Sequence, residues 1–266
     1  MHSDMDDLDL NKGFVLHSKL ERIVSTVPSQ TELLFDLGLG DKIAGITKFC
    51  VLPKDKTSEK IKVGGTKNLD LEKIKQLQPD LIIAGKEENT KEQIEELKKH
   101  FPVWITDVTG VDSALQMILD IARITGAIEK GKELVSAINR QFEIFANHRF
   151  PVRKSLYFIW RNPYMVAANK TFINSLMERT GFDNAAKNLE RYPVVDEAII
   201  KKLNPELILL CSEPYRFGEK HIHEFKRILP DAKVIITDGQ AFAWYGSRLL
   251  HSIPYITGLH QSLIEN

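Results

Sequence analysis

Aromatic and basic side chains gather just past the ends of the chain's short apolar runs. After the run 155–160 come Trp160, Arg161, Asn162 and Tyr164. After the run 207–210 come Cys211, Ser212, Glu213, Tyr215, Arg216 and Phe217. After the run 234–237 come Asp238, Gln240, Phe242, Trp244, Tyr245 and Arg248. The first half of the chain offers Lys48, Phe49 and Cys50, then Thr66, Lys67 and Asn68, then Lys86, Glu87, Glu88 and Asn89. Rings left at a surface mark a place that something covers. Aromatic walls with a few charged groups suit capture of a flat, partly polar molecule. For any single ring the plainer reading is packing beneath its own loop.

Motifs for making and breaking bonds are absent. Gly64-Gly65-Thr66-Lys67 lacks the spacing of a phosphate-binding P-loop, and neither G-x-G-x-x-G after a strand nor a G-x-S-x-G elbow occurs. His221 and His223 invite a metal reading, but on a helix they point about 200° apart and flank Ile222, so a solvated helix face is expected. Adjacent carboxylates such as Glu87-Glu88 are ordinarily solvated. The two cysteines, Cys50 and Cys211, make no C-x-x-C pair and are expected to be free thiols. No catalytic residue and no metal ligand is assigned.

The elements that position these loops are written twice. Ile74-Lys75-Gln76-Leu77-Gln78-Pro79-Asp80-Leu81-Ile82-Ile83-Ala84 returns as Ile200-Lys201-Lys202-Leu203-Asn204-Pro205-Glu206-Leu207-Ile208-Leu209-Leu210. The stretch 97–102 returns at 225–230, and Ile105-Thr106-Asp107 returns as Ile236-Thr237-Asp238. Strands are expected at 22–27, 42–47, 81–84, 103–106, 155–160, 207–210 and 234–237. Pro28-Ser29-Gln30 is read as a turn, followed by a helix capped by Ser29 or Thr31 and stopped by Gly38. Residues 48–68 are read as a loop. Further helices are expected at 71–78, 91–100, 171–179, 196–203, 219–229 (Ile222, Phe225 and Leu229 inward) and 247–263. Alternation of strands and helices predicts α/β architecture: two Rossmann-like lobes with central parallel sheets. Between 111 and 150, apolar residues recur at helical spacing with no strand. One long backbone helix, or two in sequence, is expected to join the lobes, because no flexible linker is present. The expected division is an N-terminal lobe at 1–110, a bridge at 111–150 and a C-terminal lobe at 151–266, with a ligand in the cleft between lobes.

Bulk properties narrow the class. The 266 residues carry 36 Lys+Arg and 36 Asp+Glu, a net charge of zero that gives no support to nucleic-acid binding. No apolar stretch approaches a membrane span. Residues 1–11 are acidic and polar, without the basic start and apolar stretch of an export signal, so a cytoplasmic or processed chain is expected.

Read in order, these segments resemble a known family. Arg22-Ile23-Val24-Ser25, then Pro28-Ser29-Gln30-Thr31-Glu32-Leu33, Gly38, Gly45 and Thr47 are similar to the opening of substrate-binding proteins of cobalamin and ferric-siderophore ABC importers. Asn68-Leu69-Asp70-Leu71-Glu72 and Tyr192-Pro193-Val194-Val195 strengthen the likeness, which runs from about residue 20 to the end. The resemblance implies two α/β lobes on a rigid backbone helix and a corrinoid, haem or ferric chelate bound as cargo. It implies no intrinsic cofactor, no enzymatic step and a monomer. It also implies a periplasmic or lipid-anchored location and an ABC permease as partner. In cobalamin-binding members, the ligand-facing aromatics would correspond to Phe49, Trp160 and Tyr192, and an arginine to Arg248. Thr66 and Gly85 stand where those members carry further tryptophans. Cys50, Lys67, Lys86, Tyr215, Phe217, Trp244 and Tyr245 complete the expected ligand set. The family's docking glutamates would correspond to Glu72 and, one position before Ala198, Glu197. The alternative is a cytosolic relative, an enzyme or a sensor acting on such a ligand, with Cys50 or Glu87 as the first candidate groups.

Overall fold

Short, nearly all-apolar strands need cover on both faces, and helices supply it. The computed structural model describes residues 11, 14–16 and 19–265; most of the acidic start lies outside the described residues. The chain divides into two compact units. One gathers Met1–Asp107 and Met117–Lys132, the other Val108–Gln116 and Glu133–Asn266.

The first unit alternates β1 (Ile23–Ser25), α1 (Pro28–Asp36), β2 (Ile43–Ile46), α2 (Lys54–Thr57), β3 (Ile61–Lys62), α3 (Leu71–Leu77), β4 (Leu81–Gly85), α4 (Lys91–Lys98) and β5 (Val103–Thr106). The sheet is wholly parallel, in the order β3-β2-β1-β4-β5. Two expectations fail here. Pro28 does not turn the chain but opens α1 at its first position, where the missing N–H costs nothing. Neither Ser29 nor Thr31 caps that helix; Thr31 Oγ1 instead lies 3.0 Å from the Val27 carbonyl oxygen and 2.7 Å from the Ser25 hydroxyl. The loop read at 48–68 contains α2 and β3, pieces of four and two residues that are too short to leave a periodic signature.

The segment from Val111 onward forms two helices, α5 (Val111–Ile124) and α6 (Ile128–Asn147). Gly126 lies between them at φ +77°, a left-handed turn that favours glycine. Gly131 serves packing instead, since a Cβ there would stand 2.4 Å from that of Ala122.

The second unit continues with β6 (Arg153–Trp160), β7 (Tyr164–Val166), α7 (Phe172–Arg179), β8 (Phe182–Asn184), β9 (Val194–Val195), α8 (Glu197–Leu203), β10 (Leu207–Cys211), α9 (Glu219–Ile228), β11 (Lys233–Thr237), α10 (Gly239–Ala243) and α11 (Leu249–Glu265). Its sheet runs β11-β10-β6-β7-β9, with β8 also on β6. The β11, β10, β6 and β8 pairings are parallel, whereas β7 and β9 form an antiparallel edge that the repeat pattern does not announce.

The duplication survives in detail. Asp70 and Asp196 cap α3 and α8, accepting from Lys73 N–H at 3.0 Å and Ile199 N–H at 2.8 Å. Gln78 and Asn204 end those helices at φ 45° and 44°. Thr106 and Thr237, on the last parallel strand of each sheet, donate to the carbonyls of Ala84 and Leu210 at 3.1 and 3.4 Å. Equivalent residues thus make equivalent bonds in both units.

Candidate functional site

In an open parallel sheet the crevice lies beyond the strand carboxyl ends, where the strand order reverses. In the first unit that point falls between β1 and β4, and the chain fills it itself. Asn89 accepts from Thr26 Oγ1 at 2.8 Å and from Gly85 N–H at 2.9 Å, and it donates to the Thr66 carbonyl at 2.9 Å. A side chain at Gly85 would meet Glu88 Oε2 at 2.3 Å. The candidate side chains of this unit lie elsewhere on it. Phe49 is half exposed with Lys48 Nζ 5.1 Å from its ring centre. Lys67 donates to the Glu87 carbonyl at 2.5 Å, and Lys86 pairs with Asp107 at 2.7 Å.

Cys50 differs from these side chains. It is 1 % exposed, and its sulfur lies 3.1 Å from Thr31 Oγ1 and 3.2 Å from Thr47 Oγ1. Burial pushes the thiol up, so it is protonated and inert at neutral pH. Burial likewise raises Cys211 to about 12. Both are free, buried thiols.

The second unit presents a denser cluster at the ends of β6, β10 and β11. Trp160, 40 % exposed, meets Tyr215 edge-on with ring centres 5.5 Å apart. Phe217 is buried beneath Tyr215 at 4.7 Å. Trp244 and Tyr245 are buried, the second against Phe172 at 5.6 Å, while the Arg248 guanidinium lies 5.9 Å from the Trp244 ring centre. Tyr192 is half-buried in the turn before β9. The structure thus leaves Trp160, Tyr192, Tyr215 and Arg248 accessible, with Phe217 beneath Tyr215 and Trp244 beside Arg248, while Tyr245 packs against Phe172.

Two groups beside this cluster carry little signal in the sequence. Glu213 lies against α10, where Gln240 Nε2 donates to it at 3.3 Å; burial raises its pKa, against the opposing bonds from Gln240 and Trp244. Glu224 accepts from Arg161 Nε at 3.0 and 2.9 Å and from the Tyr164 hydroxyl. Burial alone would raise Glu224, but Arg161 and Tyr164 outweigh it and the carboxyl is held low. Tyr164 is pushed up to about 12 by burial and by its bond to Glu224. Adjacency of Trp160 and Arg161 is the only trace of this clamp in the sequence.

The helix α9 corrects another expectation. His221, Phe225 and Ile228 face inward, not Ile222 and Leu229, and His221 is 2 % exposed rather than solvated. The imidazole is drawn in by bonds to the Gly218 backbone and to Tyr215. Among the described residues no group of three His, Cys, Asp or Glu could hold a metal ion. Glu72 and Glu197 are both exposed in the first turns of α3 and α8. Among the described residues no helix is long and apolar enough to cross a membrane.

Fold and motif together define a binding protein: the chain belongs to the periplasmic binding protein family, whose model matches residues 23–232. Members of this family bind rather than transform their ligands, so the enzymatic alternative is set aside. The chain is 28 % identical to the ABC transporter substrate-binding lipoprotein YvrC of Bacillus subtilis, over 75 % of this chain and 66 % of that protein, just under two thirds of its length. It is 25 % identical to the vitamin B12-binding protein of Vibrio parahaemolyticus, over 71 % of this chain and 70 % of that one. Solved structures share the fold. The periplasmic haem-binding protein RhuT of Roseiflexus superposes with a TM-score of 0.79 at 21 % identity, covering 91 % of this chain and 98 % of its own. The vitamin B12-binding protein BtuF of Vibrio cholerae gives 0.79 at 19 % identity, covering 93 % and 99 %.

Proposed function

We propose that this protein captures a corrinoid, haem or ferric chelate and delivers it to an ABC permease. The observation that carries this reading is the accessible indole of Trp160, propped edge-on by Tyr215 at the carboxyl end of β6. A rigid ring held at a rim is suited to lie against a flat macrocycle. In this reading Trp160, Tyr192, Tyr215 and Arg248 are the candidate contacts of the second unit, and Phe49, Lys67 and Lys86 those of the first taken by itself. Relatives named for vitamin B12 and neighbours named for haem support the ligand class. Glu72 and Glu197, exposed and at matching helix starts, are the docking carboxylates in this reading.

Titration of the purified protein with haem, cyanocobalamin and a ferric siderophore tests it, read by visible absorption and tryptophan fluorescence. One of the three saturates at one equivalent, and Trp160→Ala weakens it by about 1–3 kcal/mol, the worth of a large aromatic contact. Absence of saturable binding to all three overturns the reading.

A further inference from the structure

Tyr215 stands among three rings: Trp160 at 5.5 Å, Phe217 at 4.7 Å and His221 at 5.6 Å, all near edge-to-face. That box fixes the phenol ring and leaves the direction of its hydroxyl proton to be decided. The hydroxyl oxygen lies 3.2 Å from His221 Nε2. On the far side of the imidazole, Nδ1 lies 2.9 Å from the Gly218 backbone nitrogen, whose N–H points at it, and 3.2 Å from the Gly218 carbonyl oxygen; a proton on Nδ1 would face that N–H at the shorter distance, so the geometry favours Nδ1 as the acceptor. A ring nitrogen that accepts from an amide carries no proton, so the proton of the neutral imidazole sits on Nε2. Burial lowers the His221 pKa and keeps the ring neutral. Nε2–H therefore donates to the Tyr215 oxygen, and the phenol proton is left to donate elsewhere.

We propose that His221 is a positioning residue for ligand binding: it turns the Tyr215 hydroxyl into an outward hydrogen-bond donor for an acceptor oxygen of the ligand, a carboxylate or carboxamide at the edge of a macrocycle. The proposal rests on the reading that Tyr215 touches the cargo. His221 has a second duty, because as the third residue of α9 it also satisfies the N-cap amide, the role of Glu or Gln in a capping box. His221→Glu preserves that cap with a carboxylate oxygen and has no N–H to offer Tyr215.

The test has two arms. Nitrogen-15 NMR of the ligand-free protein reads the tautomer directly: His221 carries its proton on Nε2, and a proton on Nδ1 overturns the proposal. Haem and cyanocobalamin are then titrated into wild type, Tyr215→Phe, His221→Glu and the double variant, with melting curves to verify folding. Each single variant weakens binding about three- to tenfold, the worth of one neutral hydrogen bond. The double variant is no weaker than Tyr215→Phe, because His221 acts through the lost hydroxyl. Additive losses, or wild-type affinity in His221→Glu, overturn the proposal. Failure of wild type to bind either probe defeats the role of Tyr215 at a ligand, and with it the proposal, whatever the tautomer.

Discussion

Replacing Glu224 by Gln probes the clamp behind Trp160. The carboxylate accepts from Arg161 Nε through both oxygens and from the Tyr164 hydroxyl, with its side chain 15 % exposed and that of Arg161 29 %. An amide keeps one acceptor oxygen and turns an NH2 group toward a donor. Hydrogen bonds to a charged group contribute about 1.5–3 kcal/mol, and the partial exposure argues for about 2 kcal/mol here. For a protein of this size that lowers the melting temperature by roughly 4–8 °C near neutral pH. The pH dependence follows from the sign of the shift. Glu224 is held below its unfolded value, so its contribution is complete above the ordinary carboxylate range and fades as pH falls through the lowered value. Glutamine does not titrate. The gap between wild type and variant is therefore full near neutrality and closes below about pH 4. Because Arg161 follows Trp160 directly, ligand affinity also falls, by about tenfold if about 1.4 kcal/mol of ordering is lost. Melting curves across this pH range, with ligand titration at the neutral end, decide the matter. Equal melting temperatures near neutrality, or a gap that persists in acid, would refute the reasoning.

Other consequences are as direct. Cys50 and Cys211 stay unreactive toward an aromatic disulfide reagent in the native protein and react only on unfolding; prompt native labelling contradicts their burial and raised pKa. Gly239→Ala destabilises by about 1–3 kcal/mol in urea, because the new Cβ stands 2.7 Å from the Glu213 backbone oxygen and 2.8 Å from its nitrogen; wild-type stability would rule out that close approach. Glu72→Arg and Glu197→Arg abolish uptake in cells while leaving the ligand Kd of the purified protein unchanged, since truncating one partner of a buried interface charge pair costs about 2–5 kcal/mol. Normal uptake by both variants removes them as docking groups.

Much of the architecture is legible because apolar periodicity is a local property. The repeated stretches at 74–84 and 200–210 become the same helix, the same left-handed exit and the same buried strand. The edges escaped notice. The strands β3 and β9 have two residues each, and β7 and β8 three, too short to carry a periodic pattern of their own. The face of α9 was misread because a histidine counts as polar in a periodic pattern, whereas the loop before it offers His221 both an amide and a phenol.

For the site, residue types and spacing by themselves determined which loops carry rings and charges, since the ends of apolar runs mark the ends of strands. Only the tertiary structure decided which of those groups reach a surface. Phe49 and Trp160 stay accessible while Cys50 and Phe217 sink from view. Glu224, sixty-odd residues along, turns out to hold Arg161 and Tyr164. Exposure and hydrogen bonding depend on neighbours brought together by sheet order, and no local pattern of residues encodes who those neighbours are.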